Sequence, residues 1–330
     1  MHNFERLVSN ICISVLLLFA TMPGQVFAAG TDAADTLTPK QQVSSTFLPE
    51  NSQFEVLLAT SYRQDSLRWS IAGSSVNILS ELQWQKLDIA QISAAATLSL
   101  QDNWSLRGKL DYGNIYSGNN QDSDYNGNNR TQEFSRSNNG AGGGTRDASF
   151  GLAYTQDFFN SAGTRVIMLT PKAGISYHRQ LLLMTDGFQT LPATGPFPGL
   201  NSSYDAQWLS IWVGMESLFR MNSALQFMIS VEMHQVDYLA RADWNLRTDF
   251  DHPVSFTHRA LGSGFVLAAG VNYAARQNWK AGITATLQRW QTGAGVDHTY
   301  FTNGTVGVYP LNEVVWESAS VGVSATRYFE

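Results

Sequence analysis

Two carboxylates one residue apart, Asp122-Ser123-Asp124, stand in a stretch otherwise made of Asn, Gly, Ser, Gln and Tyr. A pair of this kind can hold a water molecule, bind calcium together with neighbouring carbonyls, or simply solvate a loop. Any chemistry the chain performs is expected near this pair. The strand leading to it sets Trp104, Leu106, Leu110 and Tyr112 against Ser105, Arg107, Lys109 and Asp111. That period of two gives one apolar and one charged face, suited to an element with grease on one side and a polar space on the other. Ser117 to Asp147 then reads as a long polar loop.

The elements that must carry these residues follow from the rest of the 330-residue chain. An apolar run from Ile11 to Ala20, ended by Pro23-Gly24 and followed by Val26-Phe27-Ala28, reads as a secretory signal over residues 1–28. Residues 29–50 are polar and aperiodic and read as a flexible segment; residues 51–330 form the folded body. The single cysteine, Cys12, falls inside the signal, which excludes disulfides and thiolate metal sites from the mature chain. A formal net charge of −6 without a Lys/Arg cluster argues against nucleic-acid binding.

After the signal the apolar pattern is carried by segments of alternating residues, the form in which a membrane barrel writes its lipid contact. Leu225, Phe227, Ile229, Val231 and Met233 alternate with polar residues, and so do Trp279, Ala281, Ile283, Ala285 and Leu287. Ten such strands are predicted, joined by tight turns that alternate with long links beginning at Ser117, Thr185, Asn245 and Gly293. An even count and alternating link lengths predict an all-β fold: a ten-stranded antiparallel transmembrane β-barrel with long extracellular loops, in the outer membrane of a Gram-negative cell. Glu232, His234 and Lys109 are expected in a paired lumen network. Trp69, Trp84, Trp104, Trp208, Trp212 and Trp279 are expected in the interface girdle or the lumen.

Ser80-Glu-Leu-Gln-Trp84, Gln121-Asp-Ser-Asp-Tyr125 and Gly174-Ile-Ser-Tyr-His-Arg179 resemble short motifs of the omptin family of ten-stranded outer-membrane endopeptidases. The resemblance implies an Asp pair, Asp122 and Asp124, that holds a water opposite a His/Asp base. It also implies an arginine, Arg179, on a lipopolysaccharide phosphate, with lipopolysaccharide as a structural activator; Arg179 could equally pair with a loop carboxylate. At the matching place for the base the chain reads Asp243-Trp244-Asn245, and asparagine accepts no proton at neutral pH. The nearest replacement is His252, supported by Asp243 or Asp251, with His258 beyond.

Two functions follow from these readings. The first is a surface endopeptidase of the omptin type, acting on cationic peptides without a metal or other cofactor. The second is a non-catalytic adhesin or ligand-binding barrel that takes host or matrix ligands at its outer loops. In both, a monomer sits in outer-membrane lipid and lipopolysaccharide.

Overall fold

A computed structural model describes residues 52–276 and 278–329. The expected signal and the flexible segment to residue 50 lie outside the described residues. The chain forms β1 (Phe54–Ile71), β2 (Ser80–Ser99), β3 (Trp104–Gly127), β4 (Thr131–Tyr154), β5 (Gln156–Phe159), β6 (Arg165–Leu191), β7 (Gly195–Pro196), β8 (Ser202–Arg220), β9 (Leu225–Asp243), β10 (Phe256–Arg276), β11 (Trp279–Thr292), β12 (Gly295–Tyr300) and β13 (Val306–Phe329). Neighbours pair antiparallel in the order β1-β2-β3-β4-β6-β8-β9-β10-β11-β13, and β13 returns to β1. That last pairing runs from Phe54↔Phe329 to Ile71↔Leu311 and closes the ring. The wall has ten strands. β5 lies against β6 at the inner end, β7 adds to β6 near the outer rim, and β12 carries the line of β11 outward.

The outward positions explain where lipid sits. Leu58, Ile92, Leu110, Phe150, Ile175, Ile211, Val213, Met233, Ile283 and Val323 are all exposed, a band that only hydrocarbon would cover at low cost. Phe54, Trp104, Trp279 and Phe329 edge the band on the side of the tight turns, and Tyr62, Tyr112 and Tyr116 edge it on the other. No described helix is long and apolar enough to cross a membrane, so the strands do the crossing.

Beyond the tyrosines the structure departs from the sequence reading. The stretch from Ser117 to Asp147 is not a loop. It is the outer part of β3, a single turn of 3-10 helix over Asn128–Arg130, and the outer part of β4. Gly293 to Leu311 likewise holds β12, a tight turn and the start of β13, and β6 runs on to Leu191 inside the stretch read as a loop from Thr185. Above the lipid the outward face no longer needs apolar residues, and on β3 and β4 the inward face holds buried polar ones such as Asn120 and Asn139, so apolar alternation disappears while the backbone ladder persists; Gln121↔Asn138 and Asp122↔Ser137 pair without any apolar side chain. The run Gly142-Gly143-Gly144 belongs to this ladder, and Gly143 (φ +117°) would put a Cβ 2.0 Å from the Leu181 carbonyl oxygen. Asn245 does open a true loop, which spans residues 244–255.

The lumen is filled in two layers. In the membrane half, buried Arg63 donates to Asp65 (Nη2 to Oδ2, 2.6 Å) and to Asp147 (Nη1 to Oδ2, 2.8 Å). Lys172 meets Glu232 at 2.6 Å, Glu232 also reaches His234, and Lys109 meets Asp111 at 3.0 Å. Above this, fully buried aromatics stack: Trp290 on Trp316 (5.3 Å), Trp84 on Tyr204 (5.4 Å) and Trp208 against Tyr238 (4.4 Å). The layers meet where the Trp316 indole donates to Asp65 at 3.0 Å and the Arg63 guanidinium lies 5.3 Å from the Trp316 ring. Trp69, Trp84 and Trp208 are therefore lumen packing, while Trp104 and Trp279 are girdle.

Replacing Arg63 with Ala leaves two buried carboxylates without their cation. Breaking such a pair costs about 3–5 kcal/mol. The Arg63→Ala barrel is expected to unfold at lower urea in detergent, read by tryptophan fluorescence; an unchanged midpoint would mean that water replaces the guanidinium freely.

Candidate functional site

Asp122 and Asp124 reach the interior through a slip in register. In the membrane part of β3 the odd positions face inward, as buried Ser105 and Ile115 show. Between Ile115 and Asn119 the chain advances four residues while β4 retreats three, from Gly143 to Gly140. The extra residue of this bulge exchanges the faces of everything beyond it. Asn120, Asp122 and Asp124 now point inward, opposite Trp84, Leu82 and Ser80 of β2, and Trp84 and Leu82 belong to the buried core.

At the inner face of the rim the two carboxylates are crowded and half-buried. Burial and the mutual repulsion of the pair push the Asp122 carboxyl up to about 8, against a hydrogen bond from Trp244 and the positive charge of Arg247. Burial also raises Asp124, opposed by hydrogen bonds from Ser80 and Ser135 and by Arg247. Ser80 and Ser135 are its two cross-strand neighbours, so the ladder itself supplies those donors. Both carboxyls are thus harder to ionise than exposed ones, and a nearby cation relieves that cost.

That cation comes from the loop after β9. Trp244 points inward, 4.6 Å from Phe256 and edge-on to it. Arg247 forms a fork with Asp249 (2.9 and 2.8 Å) and lies 4.0 Å over the Phe250 ring. Asp249 and the Asp122/Asp124 pair together raise the Arg247 guanidinium. Asn245 is a clamp: it accepts from the Asn201 backbone N–H (2.9 Å) and the Ser202 hydroxyl (3.0 Å) and donates to the Gly199 carbonyl (2.8 Å).

The histidine side of the expected site lies elsewhere. His252 Nδ1 is 2.6 Å from Asp243 Oδ1, and this hydrogen bond raises the imidazole above its ordinary value. Asp243 follows buried Ala242 and pairs with Ser203, whose neighbour Tyr204 is fully buried. By strand alternation Asp243 faces the outer wall, away from the core face that holds Asp122. The Asp122 carboxyl is held by Asp124, Trp244 and Arg247 around it, whereas the hydrogen bonds of His252 and His258 go to Asp243 and to Tyr204 and Asp297. Asp251 accepts the His252 backbone N–H at 2.9 Å and turns toward the outer wall beside Arg241 and Arg259. His258 is wholly buried between Tyr204 (2.8 Å) and Asp297 (3.0 Å) under Trp69. The structure thus joins Asp122 with Asp124 and Asp243 with His252, on opposite faces of the wall.

Arg179 points outward and holds Asp205 through two 2.8 Å hydrogen bonds. Its partner is a strand residue of β8 rather than a loop carboxylate. Sequence reasoning passed over Trp244 and Arg247. Arg247 is the only Lys or Arg between Asp243 and His252, and that was the available signal.

A family model described as Protochlamydia outer membrane protein matches residues 57–329. Among solved structures the fold is similar to the outer membrane protease OmpT from Escherichia coli, with a TM-score of 0.69, 13% identity, and coverage of 87% of this chain and 100% of that chain. The translocator domain of the autotransporter NalP from Neisseria meningitidis is matched at 12% identity over 86% of this chain and 91% of that one, with a TM-score of 0.38. No curated protein matches the sequence. At 13% identity the likeness to the protease carries the barrel and not its activity.

A carboxyl raised in the folded state stabilises fully below its unfolded value, and that contribution is lost as pH rises through the folded value. The wild-type barrel is accordingly expected to lose urea resistance between about pH 4 and pH 8 more steeply than Asp122→Asn. Parallel stability curves for the two proteins would show that Asp122 ionises as a solvated carboxylate does.

Proposed function

The chain belongs to the Protochlamydia outer membrane protein family, and we propose that it is a non-catalytic ligand-binding barrel whose rim captures cationic groups at Asp122 and Asp124. It is an outer-membrane β-barrel of a Gram-negative cell. One observation carries the reading: the acid pair faces inward against Trp244 and Arg247, while the His252–Asp243 couple faces the outer wall. A base on the far side of a sheet cannot take a proton from a water held by the pair. What remains is an anionic recess lined by an indole, with a built-in guanidinium beside it, which is the chemistry of a site for arginine or lysine side chains.

The second reading, an endopeptidase, is favoured by the 2.6 Å His252–Asp243 hydrogen bond, which resembles an oriented base. Arg179 supports lipopolysaccharide as a partner: it stands outward in the row that runs from Tyr112 through Arg146, just beyond the exposed apolar band. Asp205 would then share the guanidinium with a phosphate.

Titration of the refolded barrel with a fluorescent tetra-arginine peptide tests the binding reading. Asp122→Asn/Asp124→Asn is expected to weaken binding about tenfold or more, roughly 1.4 kcal/mol, and Arg247→Ala to tighten it by removing the internal competitor. Equal affinities in all three proteins would remove the acid pair from the site. With lipopolysaccharide and a dibasic fluorogenic peptide, cleavage is expected to be no faster than for the double variant, and Asn245→His is expected to add none. Turnover that depends on both Asp122 and His252 would establish the endopeptidase instead.

A further inference from the structure

The outer wall carries a second site, distinct from the rim pair. A concavity of about 600 Å³ opens between β9, β10 and β12, lined by Arg241, Arg259, His298, Thr257, Tyr300 and Asp251 among others. The register explains the convergence. Arg241, Thr257 and His298 are directly opposed across three strands, and Arg259 is the next outward position on β10. Their sequence neighbours Ala240, Ala242, Phe256, His258 and Asp297 are all buried on the core face, so the basic side chains point away from the lumen.

Arg63, Arg68, Arg107, Arg130, Arg136, Arg179 and Arg247 each hold a carboxylate. Arg241 and Arg259 hold none among the described residues, although both open into a cavity. Arg146, Arg276 and Arg327 also make no ion pair among the described residues, but only Arg241 and Arg259 are brought together in the lining of this concavity. Asp205 lies opposite Arg241 in register, but its two oxygens are taken by Arg179. Asp251 is the one acid in the lining and leaves the two guanidiniums in excess. The Thr257 and Tyr300 hydroxyls, 3.2 Å apart, add donors between them.

We propose that this concavity binds a phosphate or sulfate ester carried on a saccharide. Two guanidinium forks can be met together by the three terminal oxygens of such an ester, where a carboxylate offers two. Leu239 and Val254 supply an apolar wall for a sugar ring. The site sits above the apolar band and outside the rim, so the ester can arrive on lipopolysaccharide or on a soluble sulfated glycan.

Calorimetry on the full barrel in detergent, with a heparin hexasaccharide in one arm and lipopolysaccharide in the other, tests the assignment. Arg241→Gln/Arg259→Gln is expected to weaken whichever probe binds by tenfold or more, with the folded gel mobility retained. Loss in the hexasaccharide arm assigns a soluble glycan, and loss confined to the other arm assigns the lipid. For the hexasaccharide, Lys86→Gln/Arg146→Gln removes equal charge from other strands and is expected to change affinity less than twofold. The proposal is overturned if neither probe binds, if the double variant binds like wild type, or if the charge control weakens the hexasaccharide equally.

Discussion

Hydrocarbon offers a backbone no hydrogen-bond partner, so every N–H and C=O of a membrane-crossing strand must be satisfied by another strand. The pairing of β1 with β13 over Phe54 to Ile71 is the contact on which the rest depends. Once that edge is joined, no open strand edge remains in lipid. Closure also fixes which side of each strand is enclosed, and a ring of ten leaves a bore that side chains can fill. Arg63, Asp65 and Asp147 then sit where water is scarce, which is why they form one hydrogen-bonded unit.

Above the membrane the same ladder continues under different rules. Lipid no longer dictates one face, and the aromatic layer of Trp84, Tyr204, Trp208, Trp290 and Trp316 takes over as the apolar core. This layer gives the rim a rigid floor. Asp122 stands directly opposite Leu82, and the row below it pairs Asn120 with Trp84, so the acid pair rests at the boundary between stacked rings and solvent. That boundary raises the two carboxyls, because part of their hydration is replaced by indole and leucine.

The lipid-facing half of the molecule was legible in the sequence because lipid imposes a period of two on strands such as Leu225–Met233 and Trp279–Leu287. The outer half was not. Its strands carry Asn, Gly and Ser on both faces, and such residues read as loops when hydrophobicity is the signal, although Asn120 and Asn139 hydrogen-bond side chain to side chain across a regular ladder. The Asp122/Asp124 pair could be picked out by its two charges in a neutral stretch. Its direction could not, since that hangs on one extra residue between Ile115 and Asn119 that no residue type announces. His252 could be proposed as a partner of Asp243 from proximity in the chain, yet the face on which the couple lies depends on the alternation of β9 counted from Ala242.

That alternation gives the segment after β9 two chemistries. Asp243 and Trp244 are adjacent in sequence and opposite in space: the carboxylate goes to the outer wall, where it meets His252, and the indole goes inward to Asp122. Arg241 and Arg259 share the outward face with Asp243, while Arg247, past the end of the strand, crosses back over the rim to the acid pair. The concavity that Arg241 and Arg259 line thus opens on the outside of the wall and the Asp122/Asp124 pair on the inside. The ring layer between them, Trp69, Trp244 and Phe256 above all, fills the space that a salt bridge across the wall would need. A wall built this way can present different charged groups to two ligands at once, because the buried rings that stiffen the rim also keep the groups of its two faces out of contact.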